Sequence, residues 1–387
     1  MNTKIWRIGI LKDTSKPMLG LHALHVAFRG LSNVEVVAHV DSNSADIESK
    51  LAYTQARRHY TDFNEMLEKE HPDIVVLCSR HPGDHLPQIR AAAEKGCHVY
   101  CEKPLAADLR EADEIAQLAD RYRIKIGVAH PARYSLPYLT MKRLIEAGEI
   151  GEPLMAYGRG KCDHRGGGED LIVLGTHILD LMTFFFGPPE SVAADVLLRG
   201  RPLVKADREE KTVEPIGLAA GDDVFATFRF GGGVRGLFQS RRGLPGVSQG
   251  IVQMGITVAG TKGMLSMGFN DAASPICTLR ISRGARPPET GAEFEEVPLV
   301  ETRDIPGAEP IEVSLRGPDI PEARFFLEAN RYAVWDLMQA LEEDREPISN
   351  VYTALQVQEM IQGVYASTLT RQIVPLPLIE RKHPLAD

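Results

Sequence analysis

"DIVVLCSRHPGDHLPQIRAAAEKGCHVYCEKPLA", residues 73–106, contains a strand, a helix and a second strand in succession. DIVVLCS (73–79) is a nearly unbroken apolar run, as expected of a strand covered on both faces. HLPQIRAAAEKG (85–96) carries helical spacing and ends on a glycine, and CHVYCE (97–102) is the second strand. The same alternation extends to both sides. Strands are expected at 5–11, 34–41 and 124–130. LHALHVAFRGL (21–31), SADIESKLAYTQAR (44–57), DFNEMLEKE (62–70) and DLREADEIAQLADRYR (108–123) read as helices between them. Strand and helix in alternation imply a doubly wound parallel sheet, a Rossmann-type α/β domain over residues 1–128.

Beyond residue 129 the texture changes. YLTMKRLIEAGEIGEP (138–153) is a helix stopped by Gly148. LMAYGRGK, SVAADVLLRG, DDVFATFRFGGGVRGLFQSRR, GIVQMGITVAGTKGMLSMG and ICTLRIS then alternate like antiparallel strands with glycine turns. Residues 285–320, rich in Pro, Glu and Gly, read as surface loops, and two helical blocks close the chain. The expected second domain is 129–387, an α+β domain with an open antiparallel sheet and its C-terminal helices packed near the domain junction.

Composition narrows the function. The 387 residues are 43% hydrophobic and 25% charged, with a formal net charge of −9. That balance disfavours nucleic acid or an anionic membrane as partner and favours a small molecule. No signal peptide or membrane-spanning apolar run is read, so a cytoplasmic location follows as the default. Five cysteines do not form a disulfide framework. Cys97, His98 and Cys101 lie on a predicted strand whose alternation turns His98 away from both cysteines, so no metal is assigned there. His164, His177 and Asp180 lack a further clear ligand, and no metal is assigned to them either.

The first loop departs from a dinucleotide-binding turn. After the strand containing Gly9, Lys12 and Thr14 stand where glycines are expected, and Gly20 arrives only beyond Pro17. Lys12 can neutralise phosphate, and Thr14 or Ser15 can donate hydrogen bonds. Asp41 ends the second strand about 20 residues beyond Gly20, the spacing of a carboxylate that binds an adenosine ribose. Its charge would favour NAD over NADP. A turn aspartate that caps the next helix reads equally well.

Lys103 sits at the end of a predicted parallel strand, and Pro104 holds it extended, aiming the ammonium into the ligand crevice. There it can stabilise negative charge on a substrate oxygen. GRGKCDHRGGGEDLIVLGTHILDLMTFFFG (158–187) gathers charged residues around a glycine run and then starts an apolar helix near Thr176. His177 falls in that helix's first turn, which favours neutral imidazole, and Asp180 shares its face one turn later. Lys161, Asp163, His164 and Arg165 give the approach to the glycines a charged character suited to a polar or anionic group. A solvated loop is the alternative.

Together, E-K-P after a strand and G-x-H-x-x-D in the second domain resemble the Gfo/Idh/MocA oxidoreductase family, the glucose–fructose oxidoreductase and inositol dehydrogenase group. The resemblance runs over nearly the whole chain, from the first strand through PDIVVLCSRHPGDH, RYSLPYLTMKRLIEAGEIGEP and GTKGML to the terminal helices. It implies an NAD-binding first domain and a second sheet that makes the contacts of a homodimer or homotetramer. It also implies interconversion of a hydroxyl and a ketone on a sugar, polyol or sugar acid. Lys103 matches the lysine that contacts nicotinamide and substrate, and His177 the histidine of D-x-G-x-H. Ser79, His85 and Glu102 fall at cofactor positions, and Arg133 and Tyr134 in a segment that enters the cleft. Lys161, His164, Arg165 and Asp170 join them as substrate residues.

One departure is chemical. The aspartate of D-x-G-x-H is Val173 here, with Glu169 and Asp170 just upstream as substitutes. This change keeps two further readings open: an NAD-dependent enzyme that cleaves or eliminates after transient oxidation, and a non-catalytic ligand sensor on a dehydrogenase scaffold.

Overall fold

Ile74–Leu77 is the most deeply buried strand of its sheet, each of its four residues fully enclosed, as a β-branched run covered on both faces should be. The computed structural model describes residues 4–16, 23–209, 211–244, 254–268, 278–284, 293–299, 304–311 and 324–387. It divides into two units, residues 1–134 with 303–354, and residues 135–302 with 355–387.

Among its described residues the first unit holds six strands: β1 (Trp6–Leu11), β2 (Val34–Val40), β3 (Arg58–Tyr60), β4 (Ile74–Leu77), β5 (His98–Cys101) and β6 (Ile126–Val128). Their order is β3-β2-β1-β4-β5-β6, and every neighbouring pair is parallel. This is the doubly wound order of dinucleotide-binding folds, with the reversal between β1 and β4. Helices α1 (Ile47–Thr54), α2 (Phe63–Glu70), α3 (His85–Glu94) and α4 (Leu109–Tyr122) connect the strands. Asp62 and Asp108 cap α2 and α4 by accepting backbone N–H groups of their first turns.

Three sequence expectations change here. SADIESKLAYTQAR yields α1, but the chain then forms β3, an edge strand only three residues long. LHALHVAFRGL is not an α-helix among its described residues: Leu24–Val26 is a single 3-10 turn, and Ala23 and Gly30 have positive φ (62° and 75°). Its apolar spacing reflects burial of Leu24, Val26, Ala27 and Phe28 in turns. The unit around the parallel sheet also extends beyond 128 and recruits a late helix, Arg324–Glu342. Ala329, Ala333, Val334, Leu337 and Met338, spaced to lie on one helical face, share a core with Ile8, Ile10, Val76 and Tyr100. Tyr100 Oη donates to Asn330 Oδ1 at 2.6 Å. Part of the region read as surface loop belongs to this unit as well, since Ile305 and Ala308 pack on that core and Glu309 O accepts from Arg331.

Among the described residues, the second unit is built on a ten-stranded sheet. Its strands are β7 (Pro153–Arg159), β8 (Pro189–Leu198), β9 (Arg201–Pro202), β10 (Asp223–Phe230), β11 (Arg235–Arg241), β12 (Gly255–Gly260), β13 (Gly263–Gly268), β14 (Arg280–Arg283), β15 (Glu295–Glu296) and β16 (Val374–Pro375). The order is β15-β14-β13-β12-β7-β11-β10-β8-β16, with β9 on β8. The sheet is mixed rather than wholly antiparallel, because β7 and β11 run parallel in its centre. Burial alternates along β10, β11 and β12, so one face is covered and the other open. Helices α5 (Leu136–Glu146), α6 (Gly168–Val173) and α7 (Gly175–Phe186) belong to this unit. α7 seats on the sheet through Gly158, where a Cβ would come 2.4 Å from Ile178 and 2.8 Å from Met182. Among the described residues no helix is long and apolar enough to cross a membrane.

Candidate active site

Open parallel sheets place ligands at the carboxyl ends of their strands, beside the point where strand order reverses. In the first unit the segments following β1, β2, β4 and β5 meet that description.

The loop after β1 is held by side chains. Lys12 N–H donates to Val40 O at 3.0 Å, while its Nζ turns inward to 3.1 Å from Nε2 of buried His25. Burial lowers the pKa of that ammonium. Thr14 donates to Asp41 twice, from its backbone N–H to Oδ1 (3.0 Å) and from its hydroxyl to Oδ2 (2.7 Å). Asn43 N–H adds a bond to Oδ1 at 2.9 Å, and Lys50 Nζ lies 2.8 Å from Oδ2. Asp41 is wholly buried; burial alone would raise its pKa, but the bonds from Lys50, Thr14 and Asn43 outweigh it and hold the carboxyl below its ordinary value. A reciprocal clamp runs the other way, Asp13 Oδ1 accepting from Ser15 N–H, Ser15 Oγ and Ser42 Oγ. Asp41 therefore joins the loop after β2 to the loop after β1, and Asp46, not Asp41, occupies the N-cap of α1.

The remaining cofactor candidates of this unit divide by what they touch. Gly9 lies within β1, where a Cβ would come 2.8 Å from Met66, so its missing side chain serves helix packing. Gly20 lies outside the described residues. Ser79 Oγ donates to Asp84 Oδ2 at 2.6 Å, and Lys16 Nζ reaches both Asp84 oxygens at 2.8 Å. His85 is buried with its ring between Leu105 O (3.0 Å) and Ser79 O (2.8 Å), joining the segments that follow β4 and β5. Glu102 and Lys103 follow β5 directly, and both are buried. Lys103 N–H donates to Glu102 Oε2 at 3.2 Å, and the Lys103–Pro104 peptide is cis. A lysine is enclosed to this degree, 1% exposed, only where its ammonium is engaged. Arg133 donates to Ile348 O at 3.1 Å, and Tyr134 Oη donates to Asp336 Oδ2 and accepts from Ser349 N–H. These contacts bind the 131–134 turn to the 336–349 segment of the same unit. His98 Nδ1 accepts from Lys125 N–H at 2.9 Å, and among the described residues no group of three or more His, Cys, Asp or Glu side chains could hold a metal.

The second unit gathers the other candidates around α6 and the start of α7. His177 is the third residue of α7, and Asp180, fully buried, is one turn on. The glycine run 166–168, two residues before α6 and its first residue, is required by backbone contact: at Gly168 a Cβ would meet Ala220 O at 2.0 Å, and at Gly166, Arg241 O at 2.4 Å. Glu169 accepts backbone N–H groups of Val213 and Glu214, both at 3.0 Å. Asp170 is different. Its Oδ2 accepts from Lys161 N–H (2.8 Å) and Ser240 Oγ (2.7 Å), while Oδ1, equally enclosed, meets no hydrogen-bond donor among the described residues. Burial raises the pKa of Asp170 and lowers that of Lys161, whose Nζ lies 3.8 Å from Glu214. Asp163 binds Arg165 through its backbone N–H and guanidinium, and His164 is half-exposed, 3.9 Å from Asp163. Of the two carboxylates that could replace the one lost at Val173, Glu169 is engaged with the 213–214 backbone, and Asp170 retains an open oxygen.

Sequence reasoning did not single out Lys50, Asp84, Glu214 or Ser240. Lys50 is nine residues from Asp41 on a different element, and Ser240 lies 70 residues from Asp170, so no local spacing marks either pair.

Two models of one family match the chain: "Oxidoreductase family, NAD-binding Rossmann fold" over residues 18–130, and "GFO/IDH/MocA C-terminal domain" over residues 138–266. The chain belongs to the Gfo/Idh/MocA oxidoreductase family. It is similar to an inositol 2-dehydrogenase of Salmonella typhimurium, 31% identical over 146 residues that cover 37% of this chain and 43% of the relative. The match therefore spans less than half the length of that curated relative. Among solved structures, an NAD binding oxidoreductase from Klebsiella pneumoniae is 24% identical with a TM-score of 0.70, over 96% of this chain and 99% of that one. A levoglucosan dehydrogenase solved with NADH and L-sorbose is 18% identical with a TM-score of 0.72, over 97% of this chain and 100% of that one. At these identities the two structures share the fold.

Proposed function

We propose that the chain is an NAD-dependent oxidoreductase interconverting a secondary hydroxyl and a ketone on a sugar, polyol or sugar acid. The observation that carries this reading is the complete burial of Lys103 at the carboxyl end of β5. The donor set at the neighbouring strand ends fits a dinucleotide: the ammonium groups of Lys12, Lys16 and Lys50 and the hydroxyls of Thr14, Ser15 and Ser42 belong to the loops after β1 and β2 and to α1. When bound, nicotinamide supplies the hydride acceptor or donor. Lys103 hydrogen-bonds the reacting oxygen and stabilises its negative charge. His177, in the first turn of α7, takes the hydroxyl proton, and Asp180 orients it. Lys161 and Asp170 hold the substrate's polar groups. The hydrogen bonds of Arg133 and Tyr134 to the 336–349 segment favour a supporting role for that pair.

The same reading includes a homo-oligomer formed through the open face of the second sheet. Tyr157 and Phe225 stand 42% and 45% exposed there. A groove of about 690 Å³ that Tyr157 lines runs between β7, β11, β12 and β13.

The test has two parts. Denatured protein is assayed for released nicotinamide nucleotide, and native protein is titrated with NAD+ and then with a panel of polyols, sugars and sugar acids while reduced nicotinamide is followed. Binding and substrate-dependent reduction are expected; no release and no binding of added NAD+ or NADP+ would sink the reading. Lys103→Ala is expected to lower turnover by about a thousandfold with an unchanged circular dichroism spectrum. Unaltered turnover would remove Lys103 from the chemistry.

A further inference from the structure

An aspartate at the end of the second strand of a dinucleotide-binding fold ordinarily accepts the ribose hydroxyls and repels a 2′-phosphate. Asp41 occupies that position, but its surroundings alter both properties. A carboxylate offers about four acceptor sites. Thr14 N–H and Asn43 N–H occupy Oδ1, and Thr14 Oγ1 and Lys50 Nζ occupy Oδ2. No acceptor site is left for a ribose diol without displacing one of them.

The charge is also matched. Lys50 Nζ lies 2.8 Å from Oδ2 and donates to Asn43 O at 2.6 Å. An ammonium has three N–H groups, so these two bonds leave a third. Exposure decides which member of the pair a ligand meets, because the Lys50 side chain is 16% exposed and that of Asp41 is 0% exposed. A further carboxylate of this region, Asp13, is engaged by Ser15 and Ser42, and Lys12 lies on the same loop.

We infer that Lys50 neutralises Asp41 and faces the adenosine end of the site in its place, so that the chain accepts a 2′-phosphorylated dinucleotide about as well as an unphosphorylated one. This rests on the proposed dinucleotide-binding function and adds to it a residue that sets cofactor selectivity. Asp41 becomes the latch that shapes a glycine-poor loop, and selection against the 2′-phosphate is lost with its free charge.

Equilibrium titration with NAD+ and with NADP+, by calorimetry or protein fluorescence, tests this on the wild-type protein and on Lys50→Met and Asp41→Asn, each checked for cooperative thermal unfolding. The wild-type dissociation constants are expected within about tenfold of each other. Lys50→Met uncovers the carboxylate and is expected to weaken NADP+ by about tenfold or more relative to NAD+. Asp41→Asn leaves the ammonium unmatched and is expected to shift the ratio toward NADP+, which keeps the inference testable if Lys50→Met does not fold. A wild-type preference for NAD+ above about a hundredfold that neither variant moves would overturn the inference and leave the dinucleotide reading standing. Binding of neither nucleotide would overturn both.

Discussion

Asp41 and Asp170 are both wholly buried aspartates, one in each unit, and their environments are opposite. Asp41 receives four donors and is held in its charged form. Asp170 receives two, keeps one bare oxygen, and is pushed toward its protonated form by burial. A saturated carboxylate fixes the shape of a loop and has nothing left to offer a ligand; an unsaturated one retains acceptor capacity at a cost in stability.

The largest effect that would break this contrast is on stability. Asp41→Ala strands the Thr14 and Asn43 N–H groups and the partly buried Lys50 ammonium, and is expected to destabilise the protein by about 3–5 kcal/mol in denaturant unfolding. A loss below about 1 kcal/mol would mean that the latch has no structural weight. The sign with pH follows from its lowered pKa. Asp41's contribution is full above the unfolded-state value near 4 and is lost as pH falls through the lower folded-state value, so the gap between wild type and variant should shrink in acid. Thr14→Val, which removes one hydroxyl bond and keeps the shape, is expected to cost about 1 kcal/mol.

Asp170→Asn sharpens the other side. The amide can still accept from Lys161 N–H and Ser240 and carries no buried charge, so a change within about 1 kcal/mol is expected at neutral pH. Because the folded pKa of Asp170 is raised, its contribution is full below the unfolded value and lost as pH rises through the folded one. Wild type should therefore lose ground to Asp170→Asn as pH increases, the reverse of the Asp41 trend. Parallel pH trends for the two aspartates would refute the contrast.

The sequence made the architecture readable where one physical cause dominates a segment. Short, largely apolar runs marked β1, β2, β4, β5 and β6, and E-K-P placed Lys103 just beyond the end of its strand. It was misleading where burial and secondary structure part company, as in LHALHVAFRGL, whose apolar residues Leu24, Val26, Ala27 and Phe28 are buried in turns. β3 is too short to carry a pattern. The allegiance of helix Arg324–Glu342 is invisible locally, because an amphipathic helix shows that it has an apolar face and not which sheet receives it. For the site, residue types were legible and pairings were not: Asp41 read equally as ribose ligand or helix cap, and the structure shows a latch closed by a lysine on another element.

That late helix has a consequence for how the protein comes into being. Residues 1–134 contain every strand of the parallel sheet, yet part of their core is completed by Ala333, Val334, Leu337 and Met338. On the ribosome the sheet emerges first and must keep the surface around Ile8, Ile10 and Tyr100 uncovered until more than 200 further residues have been made, on the order of 10–40 s at ordinary elongation rates. During that interval the nascent chain presents an aggregation-prone apolar surface, and the earlier-made sheet is completed only by a helix made late.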